Sequence, residues 1–273
     1  MTSANYSFVV AQLLAQEGQG KRALDFGCGG GDIVAAARRA NIDMVGADIF
    51  QVGEETRLRH VNSGALGSTI FEMIGGHLPF PDDSFDIVCA NTVFEHVRDL
   101  DSALAEIARV LKPNGLFLNI FPTIGVFREG HCGIPFAHWL QAMPTAQRRY
   151  LCLMRRMGLG HLTAGKTPRE WAAGFTDYLQ RFTFYRSLKA SRRAHLRHFA
   201  WVHRAENEYA RFRLGPRRPI LQSVAAAPFM RPLTRAVISR FGFVVLIARK
   251  AEREAQNDTP QKGVYPSSRK ERG

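Results

Sequence analysis

The fold is decided at the stretch Leu24-Asp25-Phe26-Gly27-Cys28-Gly29-Gly30-Gly31-Asp32. A short apolar run ends here in a turn rich in glycine. Asp32 then stands where a helix N-cap is expected, before Ile33-Val34-Ala35-Ala36-Ala37. Glycine tolerates positive φ and lets a ligand approach the backbone closely. The stretch therefore predicts a strand, a ligand-accessible turn and a helix in succession.

Strand-like and helix-like segments alternate on either side of this turn. An amphipathic helix is predicted over Ser7–Gln16, because its apolar residues recur at helical spacing. The helix after the glycine turn ends at Asn41, and another is predicted over Asp99–Leu111, closed by Pro113-Asn114-Gly115. Apolar runs predict five strands, at residues 21–26, 42–47, 70–74, 85–90 and 116–121.

Continuous apolar strands separated by helices predict a parallel sheet that is covered on both faces. Because crossovers between parallel strands are right-handed, few topologies remain beyond a doubly wound α/β sheet. Such sheets bind ligands beyond the carboxyl ends of their strands, near the point where the strand order reverses. The glycine turn, Asp48, the His77 region and Asn91 fall at or just beyond predicted strand ends, which predicts a ligand site there.

The pattern changes after Pro122, where strand signals become few. Residues 135–213 are rich in arginine and in aromatic and aliphatic residues, and they predict several helices. A helical stripe is predicted from Phe182 to Val202, and a strong strand over Phe241–Ala248. The predicted organisation is a core over 1–125, a basic, mainly helical insertion over 126–235, the final strand of the core within 236–250, and a disordered polar tail over 251–273.

Composition places the chain among ordinary globular proteins. Of its 273 residues, 45% are hydrophobic and 22% are charged, which excludes a disordered or collagen-like protein. No apolar run reaches the roughly 18 residues of a spanning helix, and no basic residue precedes Phe8-Val9-Val10, so a secretory signal is not predicted. Four cysteines without paired spacing predict free thiols in a reducing, cytoplasmic compartment: Cys28, Cys89, Cys132 and Cys152.

The net charge of +13 is divided unevenly between the two halves of the chain. Residues 1–130 hold 10 basic and 16 acidic side chains, whereas residues 131–273 hold 27 basic and 8 acidic ones. This asymmetry predicts an anionic partner for the second half, which is a phosphorylated substrate, a membrane surface or nucleic acid. A solvated basic face without a partner is the alternative.

The glycine turn meets only part of a dinucleotide-binding fingerprint. Gly27 and Gly29 occupy the first two glycine positions of that pattern, but Asp32 stands where the third glycine belongs. Asp48 adds a second signal, because a carboxylate at the end of the second strand accepts hydrogen bonds from ribose hydroxyls. It would repel a 2′-phosphate, which argues against phosphorylated dinucleotides. A helix-capping or surface role is the alternative for Asp48.

Four ordered motifs extend the glycine turn and carry a resemblance to a known family. They are Leu24–Gly31 with Asp48, His77-Leu78-Pro79-Phe80-Pro81-Asp82-Asp83-Ser84-Phe85-Asp86-Ile87-Val88, Asn91-Thr92-Val93-Phe94-Glu95-His96-Val97, and Glu106-Ile107-Ala108-Arg109-Val110-Leu111-Lys112-Pro113-Asn114-Gly115. In order and spacing they resemble the S-adenosylmethionine-dependent methyltransferases with a Rossmann-like (class I) fold, of the type 11 group. The resemblance covers residues 20–125, and Phe241–Lys250 is similar to the last strand of that fold. It implies a seven-stranded, mostly parallel sheet with a helical insertion before the last strand, and S-adenosylmethionine as the cofactor.

The resemblance also implies roles for individual positions. The backbone around Gly27, Cys28 and Gly29 would line the methionine part of the cofactor. Asp25 would hold the turn or meet the amino group, and Asp48 would hold the ribose. The other cofactor-binding positions implied are Ile49 against the adenine, His77 and Leu78 near the adenine edge, and Asn91 at the methionine end.

One position departs from the family pattern. Many relatives place an acidic residue four positions before Leu78, where it binds the adenine amino group. Ile74 occupies that position here, followed by Gly75-Gly76. Adenine recognition is therefore expected to rest on backbone groups or on His77.

A sulfonium cofactor carries its own activated methyl group, so the reaction requires no metal and no covalent nucleophile. A hydroxyl acceptor is helped by a general base, for which the candidates are His96, His131 and His138. His131, in Glu129-Gly130-His131 after the fifth strand, is the predicted catalytic residue, whereas His96 is interpreted as structural. The spacing of His131, Cys132 and His138 matches no familiar zinc site, so no metal is predicted.

The arginine-rich second half is the predicted acceptor-binding or lid region. Arg148–Met157 carries paired arginines on both sides of an apolar stretch, as in helices that lie on anionic bilayers; packing on the protein is the alternative. The predicted function is methyl transfer to a hydroxyl- or carboxyl-bearing small molecule or to an anionic acceptor such as a lipid-linked glycan. Two alternatives stay open: a methyltransferase of RNA or another nucleic acid, without a recognised binding module, and a cofactor-binding sensor or partner without catalysis.

Overall fold

A computed structural model describes residues 4–15, 20–51, 54–216 and 218–252 of the chain. In these residues the strands are β1 Arg22–Phe26, β2 Asp43–Asp48, β3 Ile70–Glu72, β4 Phe85–Asn91, β5 Leu111–Phe121, β6 Trp201–Arg204 and β7 Val244–Arg249. They form one sheet in the order β3-β2-β1-β4-β5-β7-β6. Strands β1 to β5 pair in parallel, while β7 is antiparallel to both β5 and β6.

The sheet confirms the predicted α/β fold, doubly wound and mostly parallel with seven strands. The strand order reverses between β1 and β4, because β2 and β3 extend the sheet on one side of β1 and β4 and β5 on the other. The carboxyl ends of β1, β2 and β4, at Phe26, Asp48 and Asn91, therefore meet at the switch point where such sheets bind ligands.

The helices of the described residues are α1 Ala4–Ala15, α2 Asp32–Arg39, α3 Glu54–Asn62, α4 Leu100–Val110, α5 Pro144–Arg156, α6 Pro168–Phe182, α7 Leu188–His198, α8 Glu206–Leu214, α9 Pro219–Ala226 and α10 Arg231–Phe241. Short 3₁₀ helices cover Ala137–Leu140 and Pro228–Met230. Within the described ranges, no helix combines the length and the apolar character needed to cross a bilayer.

Helices cover both faces of the sheet. On one face, Leu104 and Ile107 of α4 are fully buried in an apolar cluster with Phe117 of β5. On the other face, Phe8 of α1 and Val34 of α2 are buried in a second cluster. Burying an apolar side chain of this size contributes roughly 1.5–3 kcal/mol. This two-sided packing holds the strand ends that carry the candidate site.

The α5–α6 pair has a small core of its own. Leu151 of α5 and Trp171 of α6 are buried there, at 0% and 1% exposure. The helix predicted over Arg148–Met157 lies largely within α5, so part of its apolar side packs inside the protein. Thr167 begins α6 with a capping box to Glu170, which satisfies two backbone donors of the first turn.

The start of α2 differs from the prediction. Asp32 is the first helical residue rather than the N-cap, and Gly31 takes the cap position with φ 76°. The turn needs a left-handed residue directly before the helix, which glycine adopts without strain. Asp32 remains in the first turn, where its charge interacts favourably with the helix dipole.

The continuous helical stripe predicted from Phe182 to Val202 is wrong. The chain there contains the end of α6, an extended link, α7 and then β6. Strand β6 is four residues long and pairs only with β7, so its conformation depends on a partner more than forty residues away in the sequence. A segment this short carries no period of its own that distinguishes a strand from a helix.

Two strand boundaries also move. The fifth strand begins at Leu111 instead of Leu116, so the predicted turn at Pro113-Asn114-Gly115 lies within it. The final strand is Val244–Arg249, and residues 236–241 of the segment predicted for it are the end of α10. Most of the tail predicted over 251–273, from residue 253 onwards, lies outside the described residues.

Candidate active site

The glycine turn is fastened to the end of β2 by backbone hydrogen bonds. The Gly27 amide donates to the Ala47 carbonyl at 2.7 Å. The Gly29 amide donates to Asp48 Oδ2 at 2.8 Å, and the Phe50 amide donates to Asp48 Oδ1 at 2.7 Å. Because an ionised carboxylate has about four acceptor positions, Asp48 keeps capacity for two further hydroxyl donors.

The glycines of the turn differ in their surroundings. A Cβ on Gly27 would lie 2.5 Å from Val93 Cγ2, so glycine is required for the loop after β4 to pack here. A Cβ on Gly29 would have no atom of the described residues within 4 Å, and one on Gly30 would meet a single carboxylate oxygen at 3.9 Å. The Cys28 side chain is buried. Gly29 and Gly30 therefore border open space in which a ligand fits against the backbone.

Asp25 lies at the end of β1 with its carboxylate buried, 2% exposed. Burial raises the pKa of Asp25 to about 7; a hydrogen bond from the Cys89 thiol opposes the rise, and the charge of Asp48 adds to it. The sulfur–oxygen distance to Cys89 is 3.6 Å. A cation beside Asp25 would lower this pKa, so the position suits an ammonium group, met directly or through water.

Helix α1 contributes residues to the candidate site that are not predicted from the sequence. Asn5 Nδ2 donates to Asn91 Oδ1 at 2.9 Å, and Tyr209 donates its hydroxyl proton to Asn5 Oδ1 at 2.6 Å. Tyr6 is half-buried, and burial together with the charges of Asp32 and Asp25 raises its pKa. Tyr6 therefore lies close to the carboxylates of the glycine turn. The amphipathic pattern of α1 predicts a packed helix, but not where it packs.

His60 of α3 also contacts the glycine turn. Its Nε2 lies 2.9 Å from the Gly29 carbonyl, and because a carbonyl only accepts, Nε2 donates. The His60 ring packs near Phe50, with centroids 5.8 Å apart. The bond fixes the carbonyl of the glycine that borders the open space.

The predicted adenine-side residues are placed differently from one another. Ile49 is 44% exposed and Ile74 is 80% exposed, and they follow the adjacent ends of β2 and β3. Leu78 is buried in the core, while its amide donates to Glu106 Oε1 at 2.8 Å. The His77 side chain is 84% exposed, with Nδ1 3.7 Å from Glu106 Oε2. Ile49 and Ile74 thus present exposed apolar surface beside Asp48, whereas the Leu78 side chain does not.

Beyond the end of β5, Glu129 organises a second group of residues. Its carboxylate is fully buried and accepts from His131 Nδ1 at 2.6 Å, the Cys132 amide at 2.7 Å and the Tyr185 hydroxyl at 2.7 Å. Burial alone would raise the pKa of Glu129, but these bonds and the charge of His131 lower it to about 2. Burial would lower the pKa of His131, yet the bond to Glu129 and its charge raise it.

The predicted base His131 contacts His96, for which a structural role is predicted from the sequence. The two Nε2 atoms are 3.2 Å apart, and His96 Nδ1 lies 2.6 Å from the Phe182 carbonyl. Glu95 is buried beside them, and burial raises its pKa to about 8. We call Glu95, His96, Glu129 and His131 the His–Glu cluster. His138 stands apart: its Nε2 lies 3.2 Å from the Ile124 carbonyl, and its ring packs on Tyr185.

The two groups of residues share the loop after β4. That loop begins at Asn91, packs Val93 on Gly27, and continues into Glu95 and His96. The His96 amide donates to the Val93 carbonyl at 2.8 Å. A molecule on the glycine turn and a second molecule at the His–Glu cluster would therefore be held by one short segment. The arrangement is suited to moving a group between two bound molecules.

Comparison with known proteins identifies the domain in which most of these residues lie. Residues 24–119 match the family described as "Methyltransferase domain". The chain carries a methyltransferase domain of the class I, Rossmann-like family. The matched range includes the glycine turn, Asp48, His60 and Asn91, whereas Asn5 of α1 and Tyr209 of α8 lie outside it. Glu129 and His131 lie beyond its end.

Similar proteins match about a third of the chain. Methyltransferase GfsG of Streptomyces halstedii is 36% identical over 99 residues, which cover 35% of this chain and 36% of that protein. The ubiquinone biosynthesis O-methyltransferase of Pectobacterium carotovorum subsp. carotovorum is 31% identical over 97 residues, 35% of this chain and 41% of that protein. The chain thus spans about two fifths of the length of the curated relatives it matches.

A solved structure shares the fold over most of the chain. The S-adenosylmethionine-dependent methyltransferase of Mesorhizobium loti superposes with a TM-score of 0.50 at 18% identity, covering 91% of this chain and 100% of that one. At this identity the likeness concerns the fold. It agrees with the seven-stranded sheet described here, including the antiparallel strands at its edge.

Proposed function

We propose that the chain is an S-adenosylmethionine-dependent methyltransferase that acts on an oxygen atom of a small-molecule or anionic acceptor, such as a lipid-linked glycan. The observation that carries the proposal is the junction of the glycine turn with Asp48, next to open space and within a methyltransferase domain. Oxygen as the methylated atom is supported by the paired His131 and Glu129 beyond β5, because a general base of this kind serves a hydroxyl acceptor.

The residues of the glycine turn fit the methyl donor. Asp48 has acceptor capacity for ribose hydroxyls, and the exposed side chains of Ile49 and Ile74 offer apolar surface to an adenine. Asp25 supplies a buried carboxylate to the amino group of the methionine part. S-adenosylmethionine supplies an activated methyl group when bound, so the protein needs to hold donor and acceptor in line.

The His–Glu cluster is proposed to ionise the acceptor. Its predicted base is His131, whose Nδ1 donates to Glu129 and whose Nε2 takes the proton of an acceptor hydroxyl. The buried negative charge of Glu129 stabilises the imidazolium that results. A positioned base of this kind contributes roughly 10²–10⁴-fold to a rate.

The acceptor's chemical class is supported by charge. Residues 131–273 hold 27 basic and 8 acidic side chains, and arginine binds phosphate and carboxylate groups in bidentate fashion. The insertion over 126–235 is accordingly proposed as the acceptor-binding region. A cytoplasmic site of action is proposed with it, supported by four free cysteines; cell fractionation tests that location.

Transfer from a labelled donor tests the function. Purified protein is incubated with S-adenosylmethionine carrying a labelled methyl group and with lipid, small-metabolite and RNA fractions. We expect label in the lipid or small-molecule fraction. The His131→Ala variant should transfer at least about 100-fold more slowly with unchanged donor affinity, whereas His203→Ala, an exposed histidine of β6, should transfer normally.

Other outcomes separate the rival functions. Label that enters RNA alone, with binding that weakens steeply with salt, would identify a nucleic-acid methyltransferase. Donor binding without transfer to any fraction would identify a sensor or partner protein. Full transfer by His131→Ala would remove His131 as the base.

A further inference from the structure

Hydrogen bonds fix the tautomers of the two histidines of the His–Glu cluster, so that the lone pairs on their Nε2 atoms face each other. His96 Nδ1 faces the Phe182 carbonyl, which only accepts, so Nδ1 carries the hydrogen. His131 Nδ1 likewise donates to the Glu129 carboxylate. Each neutral ring then has its lone pair on Nε2, and these atoms are 3.2 Å apart. A positive charge, either a proton or a metal ion, is needed at the lone pairs to make this approach favourable.

A third potential ligand, the carboxylate of Glu95, lies close to the two imidazoles. Glu95 is 3% exposed, and its Oε2 has no hydrogen-bond partner within the described part of the chain. Ligand atoms of Glu95, His96 and His131 all lie within 4.8 Å of one another. A buried carboxylate oxygen without a partner is costly unless a cation or donor satisfies it. Among the described residues, Glu95 therefore combines a buried carboxylate oxygen without a partner with a position beside the two imidazoles.

The distances and outer contacts match those of a metal site. Two imidazole nitrogens bound to one tetrahedral zinc ion at about 2.0–2.1 Å lie about 3.3 Å apart, compared with 3.2 Å here. Histidine ligands of metals usually donate their other ring hydrogen to a carboxylate or a carbonyl. Glu129 and the Phe182 carbonyl supply those two contacts. Two imidazoles with one carboxylate suit first-row transition metals better than Mg²⁺ or Ca²⁺.

We propose that Glu95, His96 and His131 bind one divalent first-row transition-metal ion, such as Zn²⁺, with a coordination position open to an oxygen ligand. This departs from the prediction that no metal binds, because the sequence separates His96 from His131 by 35 residues and only the fold joins them. Metal binding itself does not depend on methyl transfer. The role of the ion does rest on the proposed function: in place of His131 as base, it would lower the pKa of a bound acceptor hydroxyl, whose proton passes to solvent water.

Binding of the metal alone tests the proposal. The full chain is stripped with a chelator, equilibrated with Zn²⁺ or Co²⁺ without any methyl donor, and its metal content and Co²⁺ absorption spectrum are measured. We expect one ion per chain and a Co²⁺ spectrum with nitrogen and oxygen ligands. Glu95→Gln, His96→Gln and His131→Gln should each bind at least about tenfold more weakly, and His203→Gln should bind like the wild type.

The outcomes are decisive without an activity assay. Circular dichroism and donor affinity check that each variant is folded, and Glu95→Gln is nearly isosteric, so a loss of metal by that variant is not a loss of structure. Wild-type protein that retains no ion, or equal retention by Glu95→Gln and His131→Gln, would overturn the proposal. A shared proton between His96 and His131 would then remain as the positive charge.

A second surface carries an independent inference. The outer helices α9 and α10 and the 3₁₀ helix between them expose many apolar side chains. On α10, Leu233, Val237 and Phe241 recur every four residues and are 55%, 46% and 73% exposed. The other members are Ile220 at 78%, Leu221 at 50%, Val224 at 45% and Phe229 at 80%. Large exposed apolar side chains grouped on neighbouring helices indicate an interaction site.

Aromatic contacts join this surface to the candidate active site. The Phe241 ring packs on Phe127 at 5.0 Å, Phe127 on Phe136 at 5.8 Å, and Phe136 on Trp139 at 4.7 Å. Phe136 and Trp139 are themselves 40% and 46% exposed. The segment that carries these aromatics also carries Glu129 and His131. The apolar surface thus reaches the loop that holds the predicted base.

The basic residues around this apolar surface indicate which class of partner binds there. No Asp or Glu occurs between Glu208 and Glu252, whereas nine arginine or lysine residues do. Exposed arginines lie on the same helices or beside them: Arg211, Arg213, Arg218, Arg231 and Arg240. RNA would also attract these charges, but exposed leucine, isoleucine and valine offer it neither hydrogen bonds nor stacking. Anionic lipid matches both the apolar and the basic character.

We infer that the outward side of α9 and α10, extended through Phe136 and Trp139, docks on an anionic bilayer. Flotation with phosphatidylcholine vesicles, with and without phosphatidylglycerol, tests this. We expect binding only when the anionic lipid is present, and weaker binding at high salt. The double variant Phe229→Ser/Phe241→Ser should bind at least about tenfold more weakly. The matched control Leu153→Ser/Met157→Ser removes two exposed apolar side chains at the end of α5 and should bind normally.

Four results would contradict the inference. They are absence of binding to both kinds of vesicle, loss of binding in the α5 control instead, binding of RNA but not of vesicles, and a stable dimer that is broken by Phe229→Ser/Phe241→Ser. The last result would assign the surface to a second copy of the chain. Each readout is independent of methyl transfer and of metal content.

Discussion

The buried charge of Asp25 favours the binding of a cationic ligand but lowers the stability of the ligand-free protein. Its carboxylate is buried at the end of β1, and burial raises its pKa from 3.8 to about 7. The unfolded chain ionises this carboxyl group more readily than the folded one. The free energy of unfolding therefore loses on the order of 4 kcal/mol as the pH rises from about 4 through 7. An ammonium group bound beside Asp25 would offset this cost, so the residue is suited to a cationic ligand.

Removing the charge should stabilise the ligand-free protein. We expect Asp25→Asn to be more stable than the wild type at pH 8, and the difference to shrink at pH 4, where the wild-type carboxyl is protonated in the folded state. Urea unfolding at the two pH values measures it. A difference that does not change with pH would show that Asp25 is not buried in its charged form. The same variant should bind S-adenosylmethionine more weakly.

Gly27 and Gly29 form a matched pair for testing the turn. Both have positive φ, 76° and 47°, so alanine is strained at either position. Only Gly27 is also crowded, with Val93 Cγ2 2.5 Å from a built Cβ. We expect Gly27→Ala to lower the free energy of unfolding by at least about 1 kcal/mol more than Gly29→Ala. Adding Val93→Ala should restore part of the loss at Gly27 and none at Gly29.

The positions of the glycine turn and Asp48 at strand ends were predictable, because they belong to a local sequence motif. The glycine turn and Asp48 lie at the ends of consecutive strands, and strand ends in a parallel sheet share one edge. Tyr6 and His60 were not predictable, because their roles depend on where α1 and α3 pack. The side chain of Leu78 proves to be core rather than site, since only its amide faces Glu106.

Helix α7 is held to the sheet by a buried histidine. His195 stacks on Phe117 with centroids 5.8 Å apart and rings inclined by 10°. Its Nδ1 lies 2.8 Å from the Ser191 carbonyl, so Nδ1 donates, and Nε2 lies 3.2 Å from Asn119 Nδ2, so Nε2 accepts. Burial lowers the pKa of His195 to about 4. The packing of α7 therefore requires the neutral ring.

Acid should weaken this packing. The unfolded chain protonates a histidine near pH 6.5, but the folded chain protonates His195 only near pH 4. Its contribution to the free energy of unfolding is therefore lost between about pH 6.5 and pH 4, on the order of 3 kcal/mol. We expect the pH slope of stability over this interval to be shallower in His195→Phe, measured by denaturant unfolding. Parallel slopes would mean that His195 is charged in the native protein.

Helices and strands with a clear hydrophobic period were predictable from the sequence, whereas short segments without such a period were not. Strand β4 and helix α4 carry long, clear periods, and both appear within one or two residues of their predicted bounds. Strand β6 has four residues and α10 ends where an apolar run continues into β7, so pairing and packing decide both boundaries. The apolar residues from Phe182 to Val202 approximate a helical period, but the chain between them leaves α6, forms α7 and ends in β6. The strand conformation of β6 follows from its antiparallel pairing with β7.

The His–Glu cluster spans the boundary between the two predicted parts of the chain. Glu95 and His96 come from the core, whereas Glu129 and His131 come from beyond residue 125, and the α6 carbonyl of Phe182 orients His96. Sequence order predicted His131 as an isolated base after the fifth strand. Its pairing with Glu129 is local, but its contact with His96 depends on how the insertion closes over β4. The insertion is thus structurally part of the site.

The most direct measurement is calorimetric titration of the whole chain with S-adenosylmethionine and S-adenosylhomocysteine. We predict one molecule bound per chain and at least tenfold weaker binding by Asp48→Ala, since charge-assisted hydrogen bonds contribute about 1.5–3 kcal/mol. Asp43→Ala, which removes an exposed carboxylate at the opposite end of β2, should bind like the wild type. Absence of saturable binding by the wild type, or equal affinity of the Asp48 and Asp43 variants, would contradict the assignment of this site to the methyl donor.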